Sequence, residues 1–210
     1  MDSMLDFGSL PNEYSLRLVL IRHGEPEQEI QGKCYGSLDI GLSEKGRSRV
    51  HAKLSSVQNF SAAALYASPL KRAIETAAIA GTCLGLQATI NPELREINFG
   101  SFEGLAYSEI EQRYPREFKL WMEHPTDAKF PGGESFTEMK VRVLKFMEFL
   151  LSTHHQETVV IVSHGGPNRV ILGEALGIPD QMVFRIDQAY AAINVIDHVE
   201  RHPIVRLLNG

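Results

Sequence analysis

The stretch Leu18-Val19-Leu20-Ile21-Arg22-His23-Gly24-Glu25 decides how this chain is read. Four apolar residues run together and stop at Arg-His-Gly. A short apolar run bounded by polar and turn residues predicts a buried parallel strand. In open α/β sheets, ligands sit outside the carboxyl ends of such strands. Arg22 and His23 are therefore expected at a rim that a substrate can reach. Gly24 allows a sharp turn and a close approach of the backbone to a ligand. The chemistry indicated is an imidazole beside a fixed positive charge, aimed at an anion.

The same pattern returns late in the chain as Val159-Val160-Ile161-Val162-Ser163-His164-Gly165. Two histidines at the ends of two central strands can face each other across one pocket. Between them, Tyr66-Ala67-Ser68-Pro69-Leu70-Lys71-Arg72 places a basic pair at a helix start, with Pro69 suited to the first turn. A helix N-terminus favours anions through its free N–H groups and its dipole. Arg72 adds a planar guanidinium fork that matches phosphate oxygens. Arg95-Glu96 follows a strand end and supplies a carboxylate.

Working outward, Ser43 reads as the N-cap of a helix running to about Val57. A strand is expected over 62–66 and a helix over 70–83, whose apolar positions recur with a helical period. A brief strand follows at 88–90. The segment from about 97 to 131 loosens into short helical pieces rich in aromatic residues, which reads as an inserted cap. A long amphipathic helix is expected over 135–153, the strongest strand over 158–162, and a helix over 168–176. Strands near 191–197 and 204–208 read as an edge hairpin around Glu200-Arg201. Alternating strands and helices predict an α/β three-layer sandwich, its central sheet mostly parallel and covered by helices on both faces. The expected organisation is a flexible segment over 1–15 and a single domain over 16–210.

Composition narrows the function classes. The 210 residues suit one domain at ~150 residues per domain, with room for an insertion. Apolar residues make up 43% and charged residues 22%, ordinary for a globular protein. A formal net charge of −5 advertises no basic face, which argues against nucleic-acid binding. No apolar run approaches the ~18 residues of a membrane span, and the acidic N-terminus does not look like a signal peptide. Cys34 and Cys83 form no disulfide framework, which reads as a reduced, cytoplasmic setting.

The motifs together resemble the histidine phosphatase superfamily, which includes the cofactor-dependent phosphoglycerate mutases. The matching segments are Leu20 to Glu25, Tyr35-Gly-Ser-Leu-Asp39, Leu42 to Gly46, Ser68-Pro-Leu-Lys-Arg-Ala73, Leu94-Arg-Glu96 with Phe99-Gly100, Phe102-Glu-Gly104, Pro131-Gly-Gly-Glu-Ser135 and Ser163-His-Gly165. The resemblance spans about Leu16 to the C-terminus. It implies that His23 is a nucleophile that forms a phosphohistidine, splitting one displacement into two easier ones. Arg22, Arg72 and His164 are then expected to bind the phosphoryl oxygens, with the Gly165 N–H as a further contact. Glu96 is expected to protonate the leaving oxygen and then to take a proton from water. With that much positive charge in place, neither metal nor other cofactor is implied. The implied partner is a small-molecule phosphomonoester, with no nucleic acid and no membrane; a homodimer is left open.

One position departs from the family pattern. Seven residues after Arg22, where an Asn often holds phosphate, this chain has Glu29. A carboxylate there repels the dianion, so Glu29 is expected to point away, with the loop backbone at Tyr35 and Gly36 in its place. Among rival activities, a mutase usually carries a basic run in the cap. Here Arg113, Arg116, Lys119 and Lys129 are scattered, so hydrolysis is expected rather than transfer. A non-catalytic phosphate-binding protein is the third reading. The loop Gly32 to Ser43 looks most like the α-ribazole phosphatase branch, which shades into broad-specificity phosphatases. The rings of Tyr35, Phe102, Tyr107 and Trp121 are expected to stack on an aromatic leaving group, with Phe102 and Tyr107 as pocket residues.

The remaining features read blandly. His198 and His202 have a zinc-like spacing, but the β-branched residues around them argue for strand and turn at the surface. His154 and His155 sit at a helix C-terminus, where a cation suits the dipole. Cys34 reads as a packed thiol, with redox sensing as the sharper alternative.

Overall fold

The computed structural model describes residues 15–56, 61–199 and 202–210. Six strands form one sheet: β1 (Leu16–Arg22), β2 (Ala64–Ala67), β3 (Ala88–Ile90), β4 (Glu157–Ser163), β5 (Ile193–Val199) and β6 (His202–Leu207). Among the described residues, six α-helices accompany them: α1 (Glu44–Ser56), α2 (Lys71–Leu84), α3 (Tyr107–Arg113), α4 (Pro115–Glu123), α5 (Phe136–Thr153) and α6 (Gly165–Leu176). The strand order is β3-β2-β4-β1-β5-β6. β1, β2, β3 and β4 pair in parallel, whereas β5 runs antiparallel to both β1 and β6. This is a three-layer α/β sandwich.

Strand alternation sends side chains to two separate cores. Leu16, Leu18 and Leu20 point with Val159 and Ile161 into one core, closed by Met139, Val143 and Phe146 of α5 and Val170 and Ile171 of α6. Val19, Ile21, Val160 and Val162 point the other way, against Val50 of α1 and Ala73, Ala77 and Ala80 of α2. Helices therefore cover both faces, and the two central strands carry unbroken apolar runs because neither face meets water.

The register sets the site. Arg22 pairs with Ser163, so His23 and His164 each lie one residue beyond the last aligned pair. The His23 N–H donates to the Ser163 carbonyl at 2.9 Å, which extends the ladder to the histidine itself.

Two elements differ from expectation. The late hairpin is not wholly an edge: β5 is buried between β1 and β6, and only β6 faces outward. The run from Ala191 to Ile196, apolar but for the buried Asn194, is the mark of burial on both faces rather than of a solvated edge. The last helix starts at Gly165, three residues before the expected Asn168, with His164 in extended conformation as its N-cap. Gly-Gly-Pro reads as loop, yet the first turn needs no backbone N–H from Pro167. The segment 1–14, the end of the first helix at Val57 and the Glu200-Arg201 turn lie outside the described residues.

Candidate active site

His23 leaves β1 nearly sealed from solvent, at 1% exposure. Its Nδ1 lies 2.7 Å from the Gly24 carbonyl, which can only accept, so the ring proton sits on Nδ1. Nε2 therefore carries the lone pair, and the Nε of Arg72 donates to it at 3.3 Å. Two independent contacts thus assign one tautomer. Burial, then the charges of Arg72 and Arg22, hold the imidazole well below its ordinary pKa, against the pull of the Gly24 carbonyl.

Arg72 stands in the first turn of α2 and is wholly buried. The Asp39 carboxylate accepts the Lys71 N–H at 2.7 Å and so caps that helix. The Nη atoms of Arg72 donate to the carbonyls of Leu38 at 2.8 Å and Gly36 at 2.5 Å. The loop backbone at Gly36 thus holds the arginine; its phosphate contact was the expectation. A side chain at Gly36 would meet the Phe99 ring and the Glu103 carboxylate, which is why glycine stands there. Glu29 is exposed, on a surface depression shared with Glu27, Glu44 and Arg47, consistent with its pointing away.

His164 faces His23, with ring centroids 5.0 Å apart. Its Nε2 is 2.7 Å from the hydroxyl of the fully buried Ser68. Burial, then Arg72, His23 and Arg22, also lower its pKa well below the ordinary value. Arg22 reaches the Gln188 carbonyl through Nη1. Two buried atoms in this cluster, Arg22 Nε and His164 Nδ1, have no partner among the described residues. Buried polar atoms are almost always hydrogen-bonded, so these two orphans mark where a ligand's polar atoms are to be expected.

Glu96 approaches from the cap side. Both of its carboxylate oxygens accept the Gly166 N–H of α6 at 3.2 Å, and Oε1 accepts the Ile97 N–H at 3.0 Å. Its backbone is fixed from behind by Arg142 of α5, which donates to the carbonyls of Glu93 at 2.6 Å and Glu96 at 3.3 Å. Arg142 in turn grips both oxygens of Glu134 at 2.7 and 2.8 Å. The Pro131 to Ser135 motif thus acts through Glu134, by positioning Glu96.

Tyr190 is one residue that sequence reasoning missed. Its ring lies 4.3 Å from Arg22 Cζ and 5.7 Å from the His23 ring, and its hydroxyl meets that of Tyr35 at 3.0 Å. The Tyr35 ring in turn lies 5.0 Å from Arg72 Cζ. The two tyrosines bridge above the arginines. Tyr190 lies in a loop without motif or period, so no signal could have found it. Ser68 and Arg169 were also overlooked as site residues, although Ser68 stood inside a quoted motif.

The cap corrects one expectation. Phe102 is fully buried and packs against Tyr114, Trp121 and Phe130 at centroid distances of 5.1, 5.9 and 5.6 Å. It belongs to the cap's own core and offers no face to a ligand. Burying such a ring stabilises by about 1.5–3 kcal/mol relative to leaving it wet. Gly100, at φ +55°, closes this cap where no side chain fits: a Cβ there would stand 2.5 Å from the Gly133 nitrogen. Tyr107 does remain 45% exposed, stacked on Trp121 at 5.6 Å. Cys34 packs in the core, and burial, then Glu103 and Glu96, push its thiol up to about 12, which favours the packed reading over a sensor.

The distal histidines are structural or external. His154 bridges Glu157 at 2.6 Å and the Tyr66 hydroxyl at 3.0 Å. His198 and His202 lie on β5 and β6; His202 is exposed as expected, but His198 is half-buried, with its Nε2 enclosed and unpartnered. Among the described residues, no group of three or more His, Cys, Asp or Glu side chains is placed to hold a metal, and no helix is long and apolar enough to cross a membrane.

A neutral imidazole whose Nε2 lone pair meets Arg72, with Arg22 beside it and a second histidine opposite, is equipped for phosphoryl transfer. The chain belongs to the histidine phosphatase superfamily (branch 1), whose family model matches residues 18–210. It is 31% identical over 194 residues to phosphoserine phosphatase 1 of Hydrogenobacter thermophilus, covering 92% of each chain. Among solved structures it resembles a putative α-ribazole-5′-phosphate phosphatase from Escherichia coli, with 26% identity, a TM-score of 0.86 and coverage of 93% of this chain and 97% of that one. A mycobacterial glucosyl-3-phosphoglycerate phosphatase superposes with 25% identity, a TM-score of 0.83 and coverage of 92% and 98%.

The lowered pKa of both histidines has a measurable consequence. In a proton NMR titration, the ring signals of His23 and His164 should stay in their neutral positions as pH falls through 6.5, the value for a free imidazole. The unfolded chain takes up these protons first, so stability is full above pH 6.5 and declines as pH drops below it. Midpoints at or above 6.5 for both rings would contradict the neutral-ring geometry.

Proposed function

We propose that this protein is a phosphomonoester hydrolase working through a phosphohistidine on His23. The observation that carries the reading is the His23–His164 pair at 5.0 Å, flanked by the unpartnered Arg22 Nε and His164 Nδ1. In the first step His23 Nε2 forms a bond to phosphorus while the ester P–O bond breaks. Glu96 gives the departing oxygen its proton. In the second step water attacks the same phosphorus, Glu96 takes the water's proton, the N–P bond breaks and inorganic phosphate leaves. Arg22, Arg72 and His164 hold the phosphoryl oxygens throughout and need no reorganisation as charge develops. The names of the relatives agree with phosphatase chemistry.

For the substrate, a small alcohol fits better than a flat base. The stacking platform expected from Phe102 is absent, and Trp121 packs one side of its ring system against Phe102 and Phe130. The half-exposed Tyr107 keeps an aromatic riboside phosphate such as α-ribazole 5′-phosphate as the second reading.

The test is phosphate release from p-nitrophenyl phosphate, small alkyl monoesters and α-ribazole 5′-phosphate, with EDTA present and no bisphosphoglycerate primer. Turnover should persist under chelation. A loss restored by Mg²⁺ or Zn²⁺ would overturn the metal-free mechanism. Interconversion of 2- and 3-phosphoglycerate faster than phosphate release would make the protein a mutase.

A further inference from the structure

Arg72 is the cation that meets the His23 lone pair, yet little of its aim comes from its own helix. Its two Nη atoms donate to the Gly36 and Leu38 carbonyls, and its backbone N–H donates to the Ile40 carbonyl at 3.0 Å. The loop from Gly36 to Ile40 is therefore the mould in which the guanidinium is set. A mould of backbone carbonyls is only as firm as the loop that carries them.

The half-buried Glu103, at the start of the cap, grips that loop. Its Oε1 accepts the Ser37 N–H at 2.7 Å and the Phe99 N–H at 2.9 Å, and the Ser37 hydroxyl lies 2.9 Å from each of the two carboxylate oxygens. Oε1 also stands 2.6 Å from the point that a Cβ on Gly36 would take, so carboxylate and loop backbone touch directly. Alongside, the Gly104 N–H donates to the Cys34 carbonyl at 2.7 Å and the Cys34 N–H to the Leu105 carbonyl at 3.0 Å. The chain around Cys34 is thus laced to the start of the cap, and Glu103 ties off the end next to Gly36. Its partners are backbone and hydroxyl donors; among the described residues it forms no ion pair. None of its hydrogen bonds reaches His23, Arg22 or His164.

We propose that Glu103 is a positioning residue for phosphoryl binding. By pinning Ser37 to Phe99 it fixes the Gly36 and Leu38 carbonyls, and these aim Arg72 at the phosphoryl oxygens and at His23 Nε2. This rests on the phosphatase reading and extends the machinery of that site into the cap. The cap reaches the nucleophile in three links: Glu103 to the loop, the loop to Arg72, and Arg72 to His23.

Three substitutions separate geometry from charge. Glu103→Gln keeps an oxygen for the Ser37 and Phe99 N–H groups and offers its NH₂ to the Ser37 hydroxyl. Glu103→Asp keeps the charge but withdraws the oxygens by one methylene, and Glu103→Ala removes every contact. With p-nitrophenyl phosphate, Glu103→Ala should lower kcat/KM by about 10- to 100-fold, the scale of a binding group misplaced by about 1 Å. The loss should come chiefly through KM, and inhibition by inorganic phosphate should weaken in parallel. Glu103→Asp should fail in the same way, whereas Glu103→Gln should stay within about threefold of the unaltered enzyme. The rise in melting temperature that inorganic phosphate gives the unaltered protein should be lost in the Ala and Asp variants and kept in Gln, a readout that needs no turnover. On an Arg72→Lys background, Glu103→Ala should cost less than about twofold, because the guanidinium that it aims is gone. An impaired Gln variant beside a normal Asp variant would make the effect one of charge. A lowered melting temperature with KM and phosphate inhibition unchanged would make it one of stability. Either result overturns the inference, as does the full loss on the Arg72→Lys background. If the unaltered protein releases phosphate from no ester, the phosphatase reading fails, while the melting-temperature comparison still decides whether Glu103 shapes the anion site.

Discussion

His23→Ala should abolish turnover, with a loss of at least about 10⁴-fold, the scale seen when a covalent nucleophile is removed. The expectation follows from the tautomer. Nε2 of His23 carries a lone pair fixed by the Gly24 and Arg72 contacts, while Nε2 of His164 is engaged by Ser68. The covalent step has its own signature: brief mixing with ³²P-labelled ester followed by a denaturing quench should trap label that is stable in base and labile in acid. The variant should trap none while its circular dichroism remains that of the parent. Undiminished activity in His23→Ala would end the mechanism.

The second large effect belongs to Glu96→Gln. The amide keeps an oxygen for the Gly166 and Ile97 N–H groups, so the backbone around it need not move. Only the exchangeable proton is lost. For alkyl phosphates, whose leaving group needs that proton, kcat should fall by about 10²–10⁴-fold. With p-nitrophenyl phosphate the first step survives, because nitrophenolate leaves unaided, and water attack becomes the slow step. Stopped-flow should then show a burst of about one equivalent of nitrophenolate before a slow steady state, the mark of an accumulating intermediate. A uniform loss for both esters with no burst would remove Glu96 from proton transfer.

Much of this site was legible because its chemistry is written in local grammar. Strand-His-Gly occurs twice, and buried strands announce themselves as apolar runs whatever the rest of the chain does. Arg72 was readable because a helix start is marked by Ser68-Pro69. The parts that stayed hidden depend on tertiary context. Phe102 follows the Glu96 segment as a pocket residue would, but whether a ring faces a ligand or a neighbouring ring is decided by Tyr114, Trp121 and Phe130 folding over it. Tyr190 reaches the site from a loop whose sequence has no period. The early start of α6 was masked by Gly165 and Gly166, which weaken helix propensity yet lie where Glu96 and Arg169 come closest to the backbone.

The pairing of β1 with β4 has a kinetic side. Arg22 and Ser163 come from opposite ends of the sequence, and the strand that leads to Arg72 pairs with the other edge of β4. Contacts of such long separation are slow to form, because a large loop must close before any of them contributes. No nascent fragment lacking β4 holds both histidines, so the growing chain carries no half-built nucleophilic centre. A reactive imidazole surrounded by cations, exposed early, would meet every phosphate ester in its surroundings without selectivity. Here His23 and His164 come together only once β4 has paired with β1.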